Sequence, residues 1–147
     1  MMSILSGVAA DLNVSIPQAG HFVSAYASGV CIGALLMVIF ARNLGLKTLL
    51  LLIVGFIFFG NALTVFAFDY WSMLGARLIA GLPHGAYFGV GAIVATQLAK
   101  KGEASKDVCL MVAGMTVANL IGVPLGSFLS WAVTWRLAFL IVAAVAA

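Results

Sequence analysis

The stretch Leu74–Gln97, LGARLIAGLPHGAYFGVGAIVATQ, decides what kind of protein this is. It is apolar enough to sit in a bilayer, yet it contains Arg77, Pro83 and His84. Glycines at 81, 85 and 89 recur every four residues, so on a helix they form one slowly drifting ridge. An arginine at the centre of a membrane helix costs roughly 2.5–3.5 kcal/mol on insertion scales. A chain that keeps one turns it towards protein or water, and a ridge without side chains lets a neighbouring helix come close. The stretch reads as the working helix of a polytopic membrane protein.

Composition agrees. Hydrophobic residues make up 65% of the 147 residues and charged ones 7%, with a mean hydropathy of +1.23. A soluble domain could not keep enough polar surface with that composition. The net charge of +3 comes from seven Lys and Arg scattered between apolar spans, which make no basic stripe for nucleic acid. Cys31 and Cys109 lie in or beside apolar spans without a CxxC or clustered His, and read as small buried hydrophobes. No metal or cofactor is expected. No Ser/His/Asp or metal constellation lies at a shared depth, so the chain does not read as an enzyme.

Working outward, the sequence divides into apolar segments of a single transmembrane domain covering residues 1–147. Residues 1–12 read as the last turns of a span whose beginning is absent, because crossing ~30 Å of hydrocarbon takes about 20 residues. They lack the basic start of a signal peptide. Ser15 suits a helix N-cap and Pro17 an early helical position. Further spans are expected over 18–40, 48–68, 71–99 and 108–133, and a sixth begins within 135–147. Both ends read as cut.

Small residues recur at Ala25, Gly29 and Gly33 in the second span and at Gly114, Ala118, Gly122 and Gly126 in the fifth. Both are packing ridges in the same sense as Gly81, Gly85 and Gly89. Pro83 and Pro124 each remove a helical hydrogen bond, and Pro124 should kink or loosen its span. The third span is Leu, Ile and Phe on nearly every face, and reads as a lipid-facing support. Arg42, Lys47, Lys100, Lys101 and Lys106 fall in two connections, whereas the other three hold only Arg136. That asymmetry puts the 40s and 100s loops in the cytoplasm.

Arg77 either snorkels to the headgroups or lines a cavity, where it would face a carboxylate or an anionic solute group. Asp11, Asp69, Glu103 and Asp107 all fall at span ends, so a carboxylate partner is expected from sequence outside this chain. His84 lies two turns from Arg77 on much the same side, as a proton relay or as a packing histidine. His21, near the outer end of its span, reads as a wetted or capping residue. Asn119 is interhelical glue or a solute contact. Tyr26, Tyr87, Phe88 and Met115 are candidates to line a cavity, although aromatics in spans usually just pack.

These residues resemble a family. Arg77-Leu-Ile-Ala-Gly81 is similar to the RxxxG signature in the fourth span of major facilitator superfamily transporters, and GLPHGAYFGVGA resembles their sugar-efflux members. The run from Gly114 through Gly122-Val-Pro124-Leu-Gly126 resembles the antiporter signature, and Trp135, Arg136 and Phe139 fit a WRxxF pattern. The likeness covers nearly the whole chain and is to the amino-terminal half of the twelve-span drug/proton antiporter branch. In the connection after the second span the family prefers an Asp-Arg pair before the loop glycine. Here Arg42 and Asn43 precede Gly45, and of the following basic pair only Lys47 remains.

The resemblance implies an all-α, incomplete six-helix half built as three-plus-three inverted repeats, in a bacterial inner membrane. It implies proton-coupled efflux of a small polar solute, a sugar or a drug, by alternating access. Arg77 would serve proton coupling, and Pro124 with its flanking glycines would be hinge and seal. The implied partners are lipid, the solute, protons, the missing first span and the carboxy-terminal half, without which this chain would not transport. A small oligomeric transporter or channel, or a non-transporting membrane scaffold, are the other readings.

Overall fold

The structure is a computed structural model that describes residues 4–40, 44–100 and 102–146. Arg42 and Lys101 lie outside them. The described residues form six helices and no strand: α1 (Leu5–Asp11), α2 (Ile16–Phe40), α3 (Leu46–Val65), α4 (Tyr70–Leu98), α5 (Ala104–Ala132) and α6 (Trp135–Ala146). Helices α3, α4 and α5, together with Ile16–Leu36 of α2, are long and apolar enough to cross a membrane.

Local chemistry sets the helix starts. The side chain of Asp69 accepts a bond from the Ser72 amide at 2.7 Å, and the Asp69 amide donates to Ser72 Oγ at 3.1 Å. This reciprocal box begins α4 and satisfies donors that a helix start otherwise leaves open. Ser15 and Gln18 make a similar exchange at the start of α2: the Ser15 amide donates to Gln18 Oε1 at 2.9 Å, and the Gln18 amide donates to Ser15 Oγ at 3.3 Å. The turn before it uses a left-handed Asn13, a residue that tolerates positive φ.

The centre of the bundle is the α2–α4 pair, which has the most extensive contact of any two helices. It is close because it is built on glycine. A Cβ on Gly29 would run into the Leu78 carbonyl, one on Gly33 into that of Leu82, and one on Gly85 into that of Val30. Gly81 meets the Tyr26 carbonyl in the same way. The ridge stops there: Gly89 faces open space, and at the next close glycine, Gly91, an added Cβ would lie 2.9 Å from Met111 Sδ of α5.

Helix α3 buries Leu49, Ile53, Gly60, Asn61 and Thr64 and exposes Leu51, Phe56, Phe59 and Leu63. Its buried polar side chains are satisfied within the helix. Asn61 Nδ2 donates to the Ile57 carbonyl and Thr64 Oγ1 to that of Gly60, both at 2.8 Å. Helix α5 differs from the rest. None of its residues is buried, and Gly114, Gly122 and Gly126 have no atom within 4 Å of an added Cβ. It runs as one unbroken helix through Pro124, as α4 does through Pro83.

The cysteines correct an expectation. Cys31 and Cys109 are free but exposed, on outward faces of α2 and α5, and not buried in the bundle. An apolar position in a membrane helix is met by lipid as readily as by protein, so hydropathy alone does not say which.

Candidate transport site around Arg77

Arg77 lies seven residues into α4, about 10 Å along its axis at ~1.5 Å per residue. It is 5% exposed. Its side chain does not leave the bundle: the guanidinium carbon sits 4.4 Å from the ring centre of Tyr26 on α2 and 5.2 Å from that of Phe139 on α6. Nε has no hydrogen-bond partner among the described residues. Among the described residues the charge is held by two aromatic faces and not by a carboxylate. A desolvated cation over an aromatic ring gains about 2 kcal/mol, whereas burying a charge costs several kcal/mol. The rings offset only part of that cost, which leaves a cation with unspent capacity for an anionic partner.

Arg77 borders a cavity of about 270 Å³. Its wall comes from α5 through Gly122, Val123, Gly126 and Leu129, and from α6 through Phe139, Ile141 and Val142, with Ile4 closing one side. Among the described residues Arg77 is its one charged group, and the missing side chains of Gly122 and Gly126 make the room. A second cavity of about 330 Å³ lies among α2, α3 and α4 and is lined by apolar residues such as Gly33, Leu36, Ile53 and Leu82. Among the described residues it offers no charge and no hydrogen-bonding side chain.

Tyr26 joins Arg77 to His84. The His84 ring centre is 5.8 Å from that of Tyr26 and 5.2 Å from that of Phe88, and Tyr87 follows at 5.9 Å from Phe88. Among the candidate residues, Arg77, Tyr26, His84, Phe88 and Tyr87 thus form one chain of contacts. Asn119 and Met115 do not join it; both stand exposed on α5, and His84 and Tyr87 are exposed as well, on α4. Gly45 caps α3 with extended backbone and Lys47 lies exposed on its first turn, far along the bundle from Arg77.

Sequence reasoning left two contributors out of the site. Phe139 belongs to the WRxxF pattern, and its spacing of four from Trp135 and from Ala143 marks the buried stripe of α6. Asp11 sits at the end of a span, where carboxylates are usually just wet. Here it pairs with Arg136 across 125 residues of sequence. His21, by contrast, exchanges a 2.7 Å hydrogen bond with the Tyr70 hydroxyl and ties the outer end of α2 to the start of α4.

The family model for the Major Facilitator Superfamily matches residues 1–147. The chain belongs to that superfamily. It is 44% identical to AraJ of Escherichia coli (strain K12) over 143 residues, which is 97% of this chain and 36% of that protein. It is 37% identical to the inner membrane transport protein YdhP of the same strain, over 95% of this chain and 36% of that protein. The "Probable sugar efflux transporter" of Pasteurella multocida (strain Pm70) is 26% identical over 99% of this chain and 36% of its own length. The chain thus spans about a third of the curated relatives it matches. No solved structure matches it. With its four apolar helices of spanning length, this member of the superfamily is a multi-pass integral membrane protein.

Proposed function

We propose that the chain supplies the amino-terminal half of a proton-coupled exporter of a small polar solute, a sugar or a drug, working by alternating access. The observation that carries the reading is Arg77: buried at membrane depth, seated between two rings, with Nε unpartnered beside a cavity. A guanidinium keeps its charge and does not itself carry the proton. It acts by favouring the ionised form of a carboxylate, from the rest of the protein or from the solute, so that protonation of that group releases it. His84, which shares Tyr26 with Arg77, is the titratable side chain placed to pass the proton on.

The outer face of α5, a helix with no buried residue, supports the second element of the proposal, that another bundle packs against it away from the cavity and the chain alone does not transport. The 36% share of the relatives' length points the same way.

The test is flux. The complete protein, reconstituted in vesicles with an imposed pH gradient, should move protons when glucose, arabinose or ethidium is supplied. Arg77→Ala should abolish that movement and Arg77→Lys should leave a small fraction, since an ammonium lacks the planar face that stacks on Tyr26. Absence of any solute-dependent proton movement by the complete protein would overturn the proposal.

A further inference from the structure

The densest polar cluster among the described residues is not at Arg77 but at the end of the bundle opposite the lysine-bearing loop. Asp11 ends α1, and its Oδ2 accepts from Trp135 Nε1 at 3.1 Å and from Arg136 Nη1. Arg136 gives its other donors to the end of α3: Nε to the Val65 carbonyl and Nη2 to the Ala67 carbonyl, each at 3.2 Å. Those carbonyls lie where a finishing helix leaves acceptors open, at its electronegative end. The Arg136 guanidinium also covers the Trp135 ring at 4.5 Å. Three helices meet on one forked cation.

The geometry of α6 makes this more than a surface pair. Trp135, Phe139 and Ala143 are its buried stripe, and Phe139 is three residues, less than one turn, past Arg136. Whatever fixes the rotation and depth of Trp135 and Arg136 therefore fixes where the Phe139 ring lies. That ring lies over Arg77. An ion pair between two partly exposed side chains would hold α6 only loosely. The indole bond and the two carbonyl bonds add what the charges lack, which is direction.

We infer that Asp11, Trp135 and Arg136 form a positioning clamp that sets the register of α6 so that Phe139 stays over Arg77. None of the three touches the cavity; they act through Phe139. The inference borrows its importance from the proposed role of Arg77, but its test reads the surroundings of Arg77 and no transport, so the two can fail separately.

The experiment is the rate at which phenylglyoxal modifies Arg77 in the complete detergent-purified protein, followed peptide by peptide in the mass spectrometer. Arg77 should react slowly in the unaltered protein and about fivefold faster in Phe139→Leu, which uncovers it. Asp11→Asn and Arg136→Lys should give the same acceleration, because neither keeps the fork. Trp135→Phe, which keeps every charge, should give a smaller acceleration and decides the matter if Asp11→Asn does not fold. Asp11→Glu should return the rate towards that of the unaltered protein. The double variant Asp11→Asn with Phe139→Leu should react no faster than Phe139→Leu alone. Unchanged Arg77 reactivity in folded clamp variants, or multiplying factors in the double variant, would overturn the inference.

Discussion

The ring of Tyr26 stands between Arg77 and His84, 4.4 Å from the guanidinium carbon of one and 5.8 Å from the ring centre of the other. It is placed there by the glycine-built crossing of α2 and α4, since Gly81 packs on the Tyr26 carbonyl itself. The backbone approach that makes the pair of helices stable is also what brings an aromatic face to a buried cation. If so, the ring and not the hydroxyl matters. Tyr26→Phe should unfold at nearly the temperature of the unaltered protein, whereas Tyr26→Leu should lose about 1–2 kcal/mol. Combined with Arg77→Met, the loss from Tyr26→Leu should shrink, because its partner is gone. Thermal unfolding in one detergent measures all four variants, and additive losses would reject the contact.

The two kinds of glycine on α4 and α2 predict opposite signs for one substitution. At Gly29 or Gly85 an added methyl meets a backbone carbonyl of the facing helix, which cannot rotate aside. Overpacking of that kind costs typically 1–3 kcal/mol. At Gly89 nothing lies within 4 Å, and Gly→Ala in a helix gains up to about 1 kcal/mol. Gly29→Ala and Gly85→Ala should lower the unfolding midpoint, and Gly89→Ala should leave or raise it. A shared sign at Gly85 and Gly89 would contradict a crossing of α2 over α4 at Gly85.

Asp69 gives a pH dependence with a definite direction. Hydrogen bonds from Ser72, first its side chain and then its amide, hold the carboxyl below its ordinary value of 3.8. A lowered folded value means that the ionised form is favoured by folding. The contribution is therefore fully present above the unfolded value and is lost as pH falls through the folded one. The start of α4 should fray on acidification, seen as lower protection of the Ser72 and Met73 amides against hydrogen exchange, measured relative to the intrinsic rate at each pH. In Asp69→Ala these amides should be poorly protected at every pH, and an Asp69→Ala protection profile that still steps on acidification would place the effect elsewhere.

Much of this was legible in the sequence, for reasons that particular residues make clear. Long apolar runs force helices in a bilayer, because an unpaired backbone group there has no water to turn to, so the all-α polytopic class followed from composition. The four-residue glycine spacing in α2 and α4 announced a close pair, since spacing along one helix is a local property. Which glycines meet is not local. Gly85 and Gly89 look alike in sequence, and only the angle at which α2 crosses separates them. Phe139 and Asp11 were hidden for a related reason: each acts on a residue more than sixty positions away, and a WRxxF pattern carries no record of what its Phe covers. The exposed Cys31 and Cys109 show the reverse limit, because lipid and protein interior select the same apolar residues.

Folding and function come apart at the cavity face of α5. Gly122 and Gly126 line the Arg77 cavity, yet an added Cβ at either would meet nothing within 4 Å. Larger side chains there should therefore be accommodated by the fold while they occupy the cavity. A leucine brings three further carbons past Cβ, a large bite from a space of about 270 Å³. In the complete protein, Gly126→Leu should keep its yield and unfolding midpoint but lose most solute-dependent proton movement. Gly114→Leu, on the same helix but outside the cavity wall, is the matched control and should lose less. If Gly126→Leu transports as well as Gly114→Leu, the space beside Arg77 is not on the solute's path, and its aromatic seat would have to be explained by packing alone.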